Sequence, residues 1–194
     1  MIYNATYIGA GTNATADNDY VFKVRDNAGG KYYNSIFTDF GGHAIDVEDL
    51  ASGEDSRARL EGGDLVFQNN IWYGFGAGST MADFVAQDFV REVLEDEENV
   101  NRVVDPQLRG ISRDADGGLD PRPYSTSPAF SRVGTYPAGD DFFTSVTYTG
   151  AFGTENWASD WTFISVAGIL GSKADTVLPA GIVEVDDGDI EVGD

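Results

Sequence analysis

The feature that most constrains the fold is a weak internal repeat within the first 78 residues. Residues 33–41 align with residues 68–76 at an offset of 35, and residues 3–9 align with residues 33–39 at an offset of 30. The alignment brings three asparagines and three aromatic residues into register: Asn4, Asn34 and Asn69, and Tyr7, Phe37 and Trp72. Short strands that repeat at such a period are typical of a β-solenoid, whose coils bury their apolar faces by stacking. We therefore expect an asparagine ladder at one turn and an aromatic stack inside the solenoid or along one face. A β-sandwich would explain the strands but not this alignment.

Local patterns place the individual elements. Short apolar runs between Gly, Asn and Asp predict strands at 5–8, 20–24, 35–37, 44–47 and 65–67. Residues 79–98 form an amphipathic pattern with an N-cap at Ser79 or Thr80, which predicts one helix that covers the core. Its acidic last turn, 95–98, opposes the helix dipole and is expected to fray.

The remainder, residues 99–194, is predicted to be a C-terminal capping segment. Five of the six prolines fall in 99–140, which predicts irregular structure there. Aromatic and β-branched residues return between 142 and 170, as in Trp161-Thr162-Phe163-Ile164, and predict strands. Residues 182–192 alternate apolar and acidic side chains around an Asp-Gly turn, which predicts two terminal strands.

Composition excludes several classes of protein. Twelve basic against 33 acidic residues give a formal charge of −21, which argues against binding to nucleic acid or to anionic lipid. No apolar run approaches the roughly 20 residues needed for membrane insertion. The chain has no cysteine and a single histidine, His43, so thiolate and multi-histidine metal chemistry is absent. The acidic surface fits salty surroundings or divalent cations, with a merely acidic extracellular protein as the alternative.

Several motifs, in their order along the chain, resemble a known group of proteins. They are Tyr3–Gly9, Asn34–Phe37, Asn69–Trp72, Val104–Leu108, Asp120–Pro123, Ser127–Ala129, Asp140–Phe143, Gly150–Gly153 and Trp157–Thr162. Together they resemble the C-terminal part of secreted bacterial right-handed parallel β-helix surface proteins, found notably in Bacteroidetes-like bacteria. The resemblance implies an all-β fold: a right-handed parallel β-helix of about three coils at 1–78, a capping helix at 79–98 and the C-terminal segment at 99–194.

The same resemblance implies an extracellular or cell-surface location and supplies no catalytic residues. Met1 is followed by no recognisable signal peptide, so we expect a mature form or a fragment. Members of the group usually carry many more coils, and we therefore expect the first coil of this chain to present an open end.

One loop suggests a metal site. Asp114, Asp116 and Asp120 surround a glycine turn, and oxygen ligands on a loop that bends sharply suit Ca²⁺. A solvated acidic turn is the alternative. The segment 186–189 (Asp-Asp-Gly-Asp) is a weaker candidate, for which a β-turn is the preferred interpretation.

Three functions follow from these observations. The first is a structural subunit that self-associates through its open coil end or through tail positions Ile182, Val183, Val185, Ile190 and Val192. The second is binding of a surface glycan by exposed aromatics, for which the candidates are Tyr32, Trp72 and Tyr73. The third and weakest is a polysaccharide lyase or hydrolase. It would use His43 with acids from the set Asp39, Asp46, Glu48 and Asp49, but acids are so frequent here that such a cluster arises by chance.

Overall fold

A computed structural model describes residues 1–14, 19–134 and 141–171. Its strands are β1 (Ile2–Tyr3), β2 (Thr6–Ile8), β3 (Tyr20–Val24), β4 (Gly30–Tyr33), β5 (Ile36–Phe40), β6 (His43–Val47), β7 (Leu65–Gln68), β8 (Ile71–Phe75), β9 (Arg102–Val103), β10 (Leu108–Ile111) and β11 (Leu119–Pro123). Its helices are α1 (Ser56–Glu61), α2 (Met81–Phe84), α3 (Asp88–Glu95) and α4 (Phe163–Val166), with one 3₁₀ turn at Pro128–Phe130. The regular secondary structure of the described part is thus mostly β-strand, with a few short helices.

Most of the strands belong to three parallel sheets. Their orders are β1-β4-β7, β2-β5-β8-β9 and β3-β6, and each neighbouring pair is parallel. The first and second sheets have the register that the repeat predicts. Thr6 pairs with Ile36 and Ile36 pairs with Ile71, at offsets of 30 and 35 residues. The alignment read from the sequence is therefore confirmed as a set of strand pairings.

The interior between the sheets is filled with stacked aromatic rings. Tyr7 stacks on Phe37 with centroids 5.0 Å apart, and Phe37 stacks on Trp72 at 4.4 Å. Phe22, from the third sheet, meets Phe37 and Phe67 edge-on at 5.2 and 5.1 Å. The predicted aromatic stack is confirmed, and it lies inside the molecule, where offset and edge-to-face pairs add to the free energy of burial.

The single helix predicted at 79–98 is instead two short helices. The expected N-cap is present, because Thr80 and Asp83 form a capping box at the start of α2. The chain then leaves the helix at Val85 so that the Gln87 side chain can bond both backbone groups of Val47, at 2.8 and 2.7 Å. The helix α3 ends at Glu95, before the acidic residues that were expected to fray.

The C-terminal region departs further from expectation. Residues 108–123 were expected to be irregular, yet β10 and β11 form an antiparallel pair. The strand predicted at 161–164 is wrong: α4 begins at Phe163, with the Thr162 hydroxyl accepting a hydrogen bond from the Ser165 amide as its N-cap. A local cap of this kind competes directly with the extended conformation. The predicted strands at 182–192 lie outside the described residues.

The C-terminal region packs on the outside of the second sheet. Ile36 and Ile71 point away from the aromatic interior and form a second, smaller apolar cluster with Ala129. Gly150 passes so close that a Cβ there would lie 2.7 Å from the Ile36 Cδ1, and its φ of +94° also favours glycine. In the part of the chain that the structure describes, no helix is long and apolar enough to cross a membrane.

Candidate functional site

Three asparagines shape the turns that join the first and second sheets. Asn4, Asn34 and Asn69 have φ angles of 53°, 49° and 55°, a left-handed conformation that asparagine tolerates better than most residues. The residues just before them pair in register, Tyr3 with Tyr33 and Tyr33 with Gln68. Asn69 Nδ2 donates a hydrogen bond to Asn34 Oδ1, which forms one rung of the expected ladder.

The C-terminal region is bound to these turns through hydrogen bonds. Asn34 Oδ1 accepts from the Gly134 amide at 2.9 Å, and the Gly150 amide donates to the Asn34 carbonyl at 2.7 Å. Asn4 Nδ2 donates to the Tyr148 carbonyl at 2.7 Å. The asparagines thus serve both as turn residues and as the surface on which the C-terminal region docks.

A cavity of about 350 Å³ lies beside the turns, and we call it the asparagine groove. It is lined by Tyr33, Asn34, Gln68, Asn69, Val100, Arg132, Val133 and Gly134. Its volume lies within the range of small-molecule sites, about 300–1,000 Å³. Among the described residues, the lining combines amide groups, one aromatic ring and one arginine, and it contains no carboxylate.

The hydrogen-bonding capacity of the groove is only partly used. Gln68 donates through Nε2 to the Glu98 carbonyl, and Asn69 donates to Asn34. No described residue donates a hydrogen bond to Gln68 Oε1 or Asn69 Oδ1. Tyr33 is held by stacking on Tyr3, with centroids 4.6 Å apart, and burial raises the pKa of its hydroxyl. The groove therefore offers two amide acceptors and a fixed aromatic ring to a ligand.

One arginine, Arg132, lines the groove, and a second, Arg102, lies close to it. A neighbouring cavity of about 540 Å³ shares Val100 and Arg132 with it and is also lined by Arg102. Within the described residues neither arginine is within 4.0 Å of a carboxylate, and Arg102 Nε is buried without a hydrogen-bond partner. Burial lowers the pKa of Arg102, and the positive charge of Arg132 lowers it further. Three acidic residues at and just after the end of α3 also line the neighbouring cavity: Glu95, Asp96 and Glu97.

The predicted calcium ligands are engaged in different interactions. Asp116 accepts hydrogen bonds from the Gly118 amide at 2.8 Å and from the Ser112 hydroxyl at 2.9 Å. Asp120 is buried and forms an ion pair with Arg122 at 2.7 Å, whereas Asp114 is exposed. Among residues 1–14, 19–134 and 141–171, no three His, Cys, Asp or Glu side chains are grouped so that they could hold a metal ion. Calcium binding by this loop stays a prediction.

The acids near His43 are also engaged in separate contacts. Asp39 pairs with Arg113, Asp46 with Lys23 and Asp49 with Arg57. Glu48 accepts a hydrogen bond from the Asp26 amide at 3.0 Å. The Nδ1 atom of His43 is buried without a hydrogen-bond partner, and its ring stacks on Tyr20 at 5.4 Å. In the structure these acids serve as partners of cations and amides on different elements.

The aromatic residues proposed for glycan binding need correction. Trp72 is completely buried in the aromatic interior and Tyr32 packs against the same core, so only Tyr73 is exposed. Sequence reasoning missed two exposed indoles, Trp157 and Trp161, which are 50% and 68% exposed. Their motif, Trp157–Thr162, had been noted only for its resemblance to other proteins.

Hydrogen bonds hold both indoles in place. Trp157 Nε1 donates to the Ala151 carbonyl at 2.8 Å, and Trp161 Nε1 donates to the Trp157 carbonyl at 2.7 Å. Phe152 stacks on Trp157 with an interplanar angle of 10°. Because the N–H groups are already bonded, the rings present mainly their apolar faces to solvent.

Comparison with protein-family models, with curated proteins and with solved structures finds no match to this chain. The function is therefore argued from the geometry alone.

Proposed function

We propose that this chain is a non-catalytic structural module of a bacterial extracellular or cell-surface protein, and that it self-associates by strand pairing. In this proposal residues 1–78 form about three coils of a right-handed parallel β-helix, and residues 79–98 and the following segment cap them. The observation that carries it is the difference between the two edges of the parallel sheets, one of which is covered by helices and side chains.

One edge of the sheets is covered by side chains and helices. Gln87 bonds both backbone groups of Val47 on β6, and Asn101 Nδ2 donates to the Phe67 carbonyl on β7 at 2.8 Å. The apolar residues Phe84, Val85, Val90 and Leu94 of the α2–α3 segment join the main core. Side chains and helices thus occupy the positions that a further set of strands would take.

The opposite edge of the three sheets is formed by β1, β2 and β3. No described strand pairs with their outer edges. Tyr7 and Phe22 belong to the aromatic interior and are only half-buried there. An edge strand that pairs with no described strand on one side and lies next to apolar rings favours addition of a strand. We propose a second copy of this chain as the source, either through the same edge or through residues 182–192.

Charge should control this association. A formal charge of −21 makes copies repel one another at low ionic strength. Salt shortens the range of that repulsion to about 8–10 Å at physiological ionic strength, while backbone pairing acts at contact. The proposal therefore expects oligomers that grow as salt or Ca²⁺ is added.

The test is the molar mass in solution by light scattering, at low and high salt, for the native chain and Ile8→Pro. Gly9 donates from its amide to Thr38 on β5, so the alternation of a parallel ladder turns the Ile8 amide towards the open edge. Proline at an edge position removes that donor without breaking the β2–β5 pairing. We expect Ile8→Pro to remain monomeric, with Ile8→Thr, which keeps the amide, as the matched control. A native chain that stays monomeric under all conditions would contradict the proposal.

Deletion of residues 181–194 separates the two possible donors. If the tail supplies the strand, the truncated chain should lose the oligomers that form at high salt. If the open edge pairs with another open edge, truncation should leave them intact and Ile8→Pro alone should abolish them.

Calcium binding is proposed as a separate contribution. Because a ligand bound only by the folded state stabilises it, millimolar Ca²⁺ should raise the melting temperature. Coordination by Asp114, Asp116 and Asp120 together would require Asp120 to leave Arg122. Asp116→Ala should remove much of the gain, and an unchanged melting temperature of the native chain would exclude the site.

Glycan binding is the second candidate, and the exposed indoles favour it. Trp157 and Trp161 are held by hydrogen bonds and are still 50% and 68% exposed, so little conformational entropy would be lost when a sugar ring stacks on their exposed surfaces. Binding of neutral oligosaccharides to the native chain but not to the Trp157→Ala/Trp161→Ala double variant, measured by calorimetry, would support it. Equal binding by both proteins would exclude this surface.

A further inference from the structure

We infer that the asparagine groove binds a short saccharide that carries an anionic substituent, either a carboxylate or a sulfate ester. The inference deepens the glycan-binding candidate and rests on it. It assigns Arg132, supported by Arg102, to the anionic group, and the amide oxygens of Gln68 and Asn69 to sugar hydroxyls.

Two arginines, Arg102 and Arg132, lie next to each other on a very acidic chain. Five other arginines form ion pairs with carboxylates: Arg57, Arg59, Arg91, Arg113 and Arg122. Neither Arg102 nor Arg132 has a carboxylate partner among the described residues. Two adjacent guanidinium groups repel each other, and an anion between them would relieve this repulsion through charge-assisted hydrogen bonds.

Hydrogen bonds fix the orientation of the Arg102 guanidinium. Its Nη1 donates to the Pro128 carbonyl at 2.8 Å and its Nη2 contacts the Thr149 hydroxyl at 3.4 Å. The guanidinium is thus oriented by the C-terminal region, while its Nε remains without a partner. Arg132 is exposed and lines both cavities, so it is the group that a ligand would reach first.

The other residues that line the groove favour a sugar as the ligand. A carboxylate or sulfate alone would not need two free amide acceptors, but hydroxyl groups donate to such oxygens. Tyr33, held by stacking on Tyr3, adds an aromatic edge to the groove. Acceptors for hydroxyls, a donor for an anion and an aromatic ring together match a substituted sugar better than a free inorganic anion.

Acidic residues near the arginines limit the size and charge of the ligand. Glu95, Asp96 and Glu97 also line the adjoining cavity, and the whole chain carries −21. A long polyanion would be repelled by these residues and by the overall field. The groove therefore selects a short saccharide with one or two anionic groups.

The experiment compares three disaccharides of similar size by calorimetry at 150 mM NaCl: one with a glucuronate, one with a sulfate ester and one neutral. We expect the anionic sugars to bind the native chain at least tenfold more tightly than the neutral one. The relative affinities of the glucuronate and the sulfate ester identify which substituent the arginines receive.

Variants then assign the site. Arg132→Asn should lower the affinity for the anionic sugar about tenfold, and should lower the affinity for the neutral sugar much less. Asparagine is chosen because Arg132 has a φ of 53°, which asparagine tolerates. Arg25→Asn, at an exposed arginine beside a different cavity, is the matched control and should have no effect. Gln68→Glu, which adds a carboxylate to the groove, should also weaken anionic-sugar binding about tenfold and tests the site independently of Arg132 folding effects.

The failure of this inference can be told from the failure of glycan binding itself. Neutral and anionic sugars that bind equally, with affinity lost only on Trp157→Ala/Trp161→Ala, would overturn the groove assignment and leave the glycan function standing. Anionic-sugar affinity that neither Arg132→Asn nor Gln68→Glu alters would overturn it as well. A native chain that binds none of the three sugars would overturn both.

Discussion

Two regions of this molecule bury very different kinds of side chain. In the repeat region, residues 1–78, most of the buried residues are apolar, and the largest of them are rings, with Phe37, Phe67 and Trp72 at 0% exposure. In the C-terminal region, residues 99–134 and 141–171, many buried positions are polar, and Trp157 and Trp161 are exposed. In the first region aromatic side chains stack on one another. The second region is held by hydrogen bonds to the turns of the first region.

This difference indicates an order of dependence between the regions. The parallel sheets and their aromatic interior provide a regular row of turns at Asn4, Asn34 and Asn69. The C-terminal region bonds to those turns and covers the outward-facing Ile36 and Ile71. We therefore expect changes in the repeat region to unfold the whole chain, and changes in the C-terminal region to act more locally.

The largest expected effect is that of Trp72→Ala. Removing a completely buried indole from the stack loses its burial and leaves a cavity, which costs about 3–5 kcal/mol of unfolding free energy. Urea denaturation measures the loss. The control, Trp161→Ala, removes a mostly exposed ring with one hydrogen bond and should cost below about 1.5 kcal/mol. Equal losses would mean that the two regions do not differ in the way described here.

The next effect tests the polar interior of the C-terminal region. Asp120→Ala leaves the buried Arg122 guanidinium, 2% exposed, without this carboxylate and should cost about 3 kcal/mol. Hydrogen exchange should show the loss of protection around β10 and β11 while the β5–β8 amides stay protected. Asp88→Ala breaks an exposed pair with Arg91 and should cost below about 1 kcal/mol. Uniform loss of protection throughout the chain would contradict the local response.

The contrast between regions also explains what the sequence could and could not predict. The strand pairings and the stack followed from the alignment of Tyr7, Phe37 and Trp72, because a repeat imposes its own register. That same alignment did not say which way each ring points, and Trp72 was proposed as exposed although it is buried. A neighbouring residue, Ile71, carries the same period and is buried on the other face.

Elements set by local polar contacts were harder to predict. The helix α1 was missed, although Asp55 at its N-cap and the Gly62-Gly63 pair after it are ordinary boundary signals. The break between α2 and α3 depends on Gln87 reaching Val47, forty residues away, and no local pattern reports that contact. The asparagine groove was missed for the same reason: Asn69 and Arg132 meet only after the C-terminal region has docked.

An intermediate loss of unfolding free energy is expected at the covered edge of the sheets. Gln87→Ala removes two hydrogen bonds from Val47, at 2.8 and 2.7 Å, and should cost about 2 kcal/mol. Gln68→Ala, which loses one bond to the Glu98 carbonyl at 3.2 Å, is the control and should cost about 0.5 kcal/mol. Thermal and urea unfolding of both variants measure the difference. If Gln87→Ala were neutral, apolar packing of α2 and α3 alone would suffice to cover that side.

The smallest effect concerns pH and compares one carboxylate from each region. Hydrogen bonds from the Leu50 and Ala58 amides lower the pKa of Asp55, and the Gly118 amide and the Ser112 hydroxyl lower the pKa of Asp116. A pKa that is lower in the folded state means that the unfolded chain binds more protons, so each group stabilises the fold above its unfolded pKa of about 4. That contribution is lost as the pH falls through the folded pKa.

Asp55→Asn and Asp116→Asn keep a hydrogen-bond acceptor but remove the titration. Each variant should melt below the native chain at pH 7, and the difference should shrink between about pH 4 and pH 2 as the native carboxylate becomes protonated. The control is Asp114→Asn, at an exposed carboxylate whose side chain makes no hydrogen bond to the described residues, and it should melt together with the native chain at pH 7. Asp55 caps a helix of the repeat region, whereas Asp116 lies in the β10–β11 loop. Loss of the Asp55 charge should therefore lower the melting temperature of the whole chain. The loss of the Asp116 charge should instead be seen mainly in amide exchange of the hairpin, and a global shift of equal size from both would show that the two regions unfold as one.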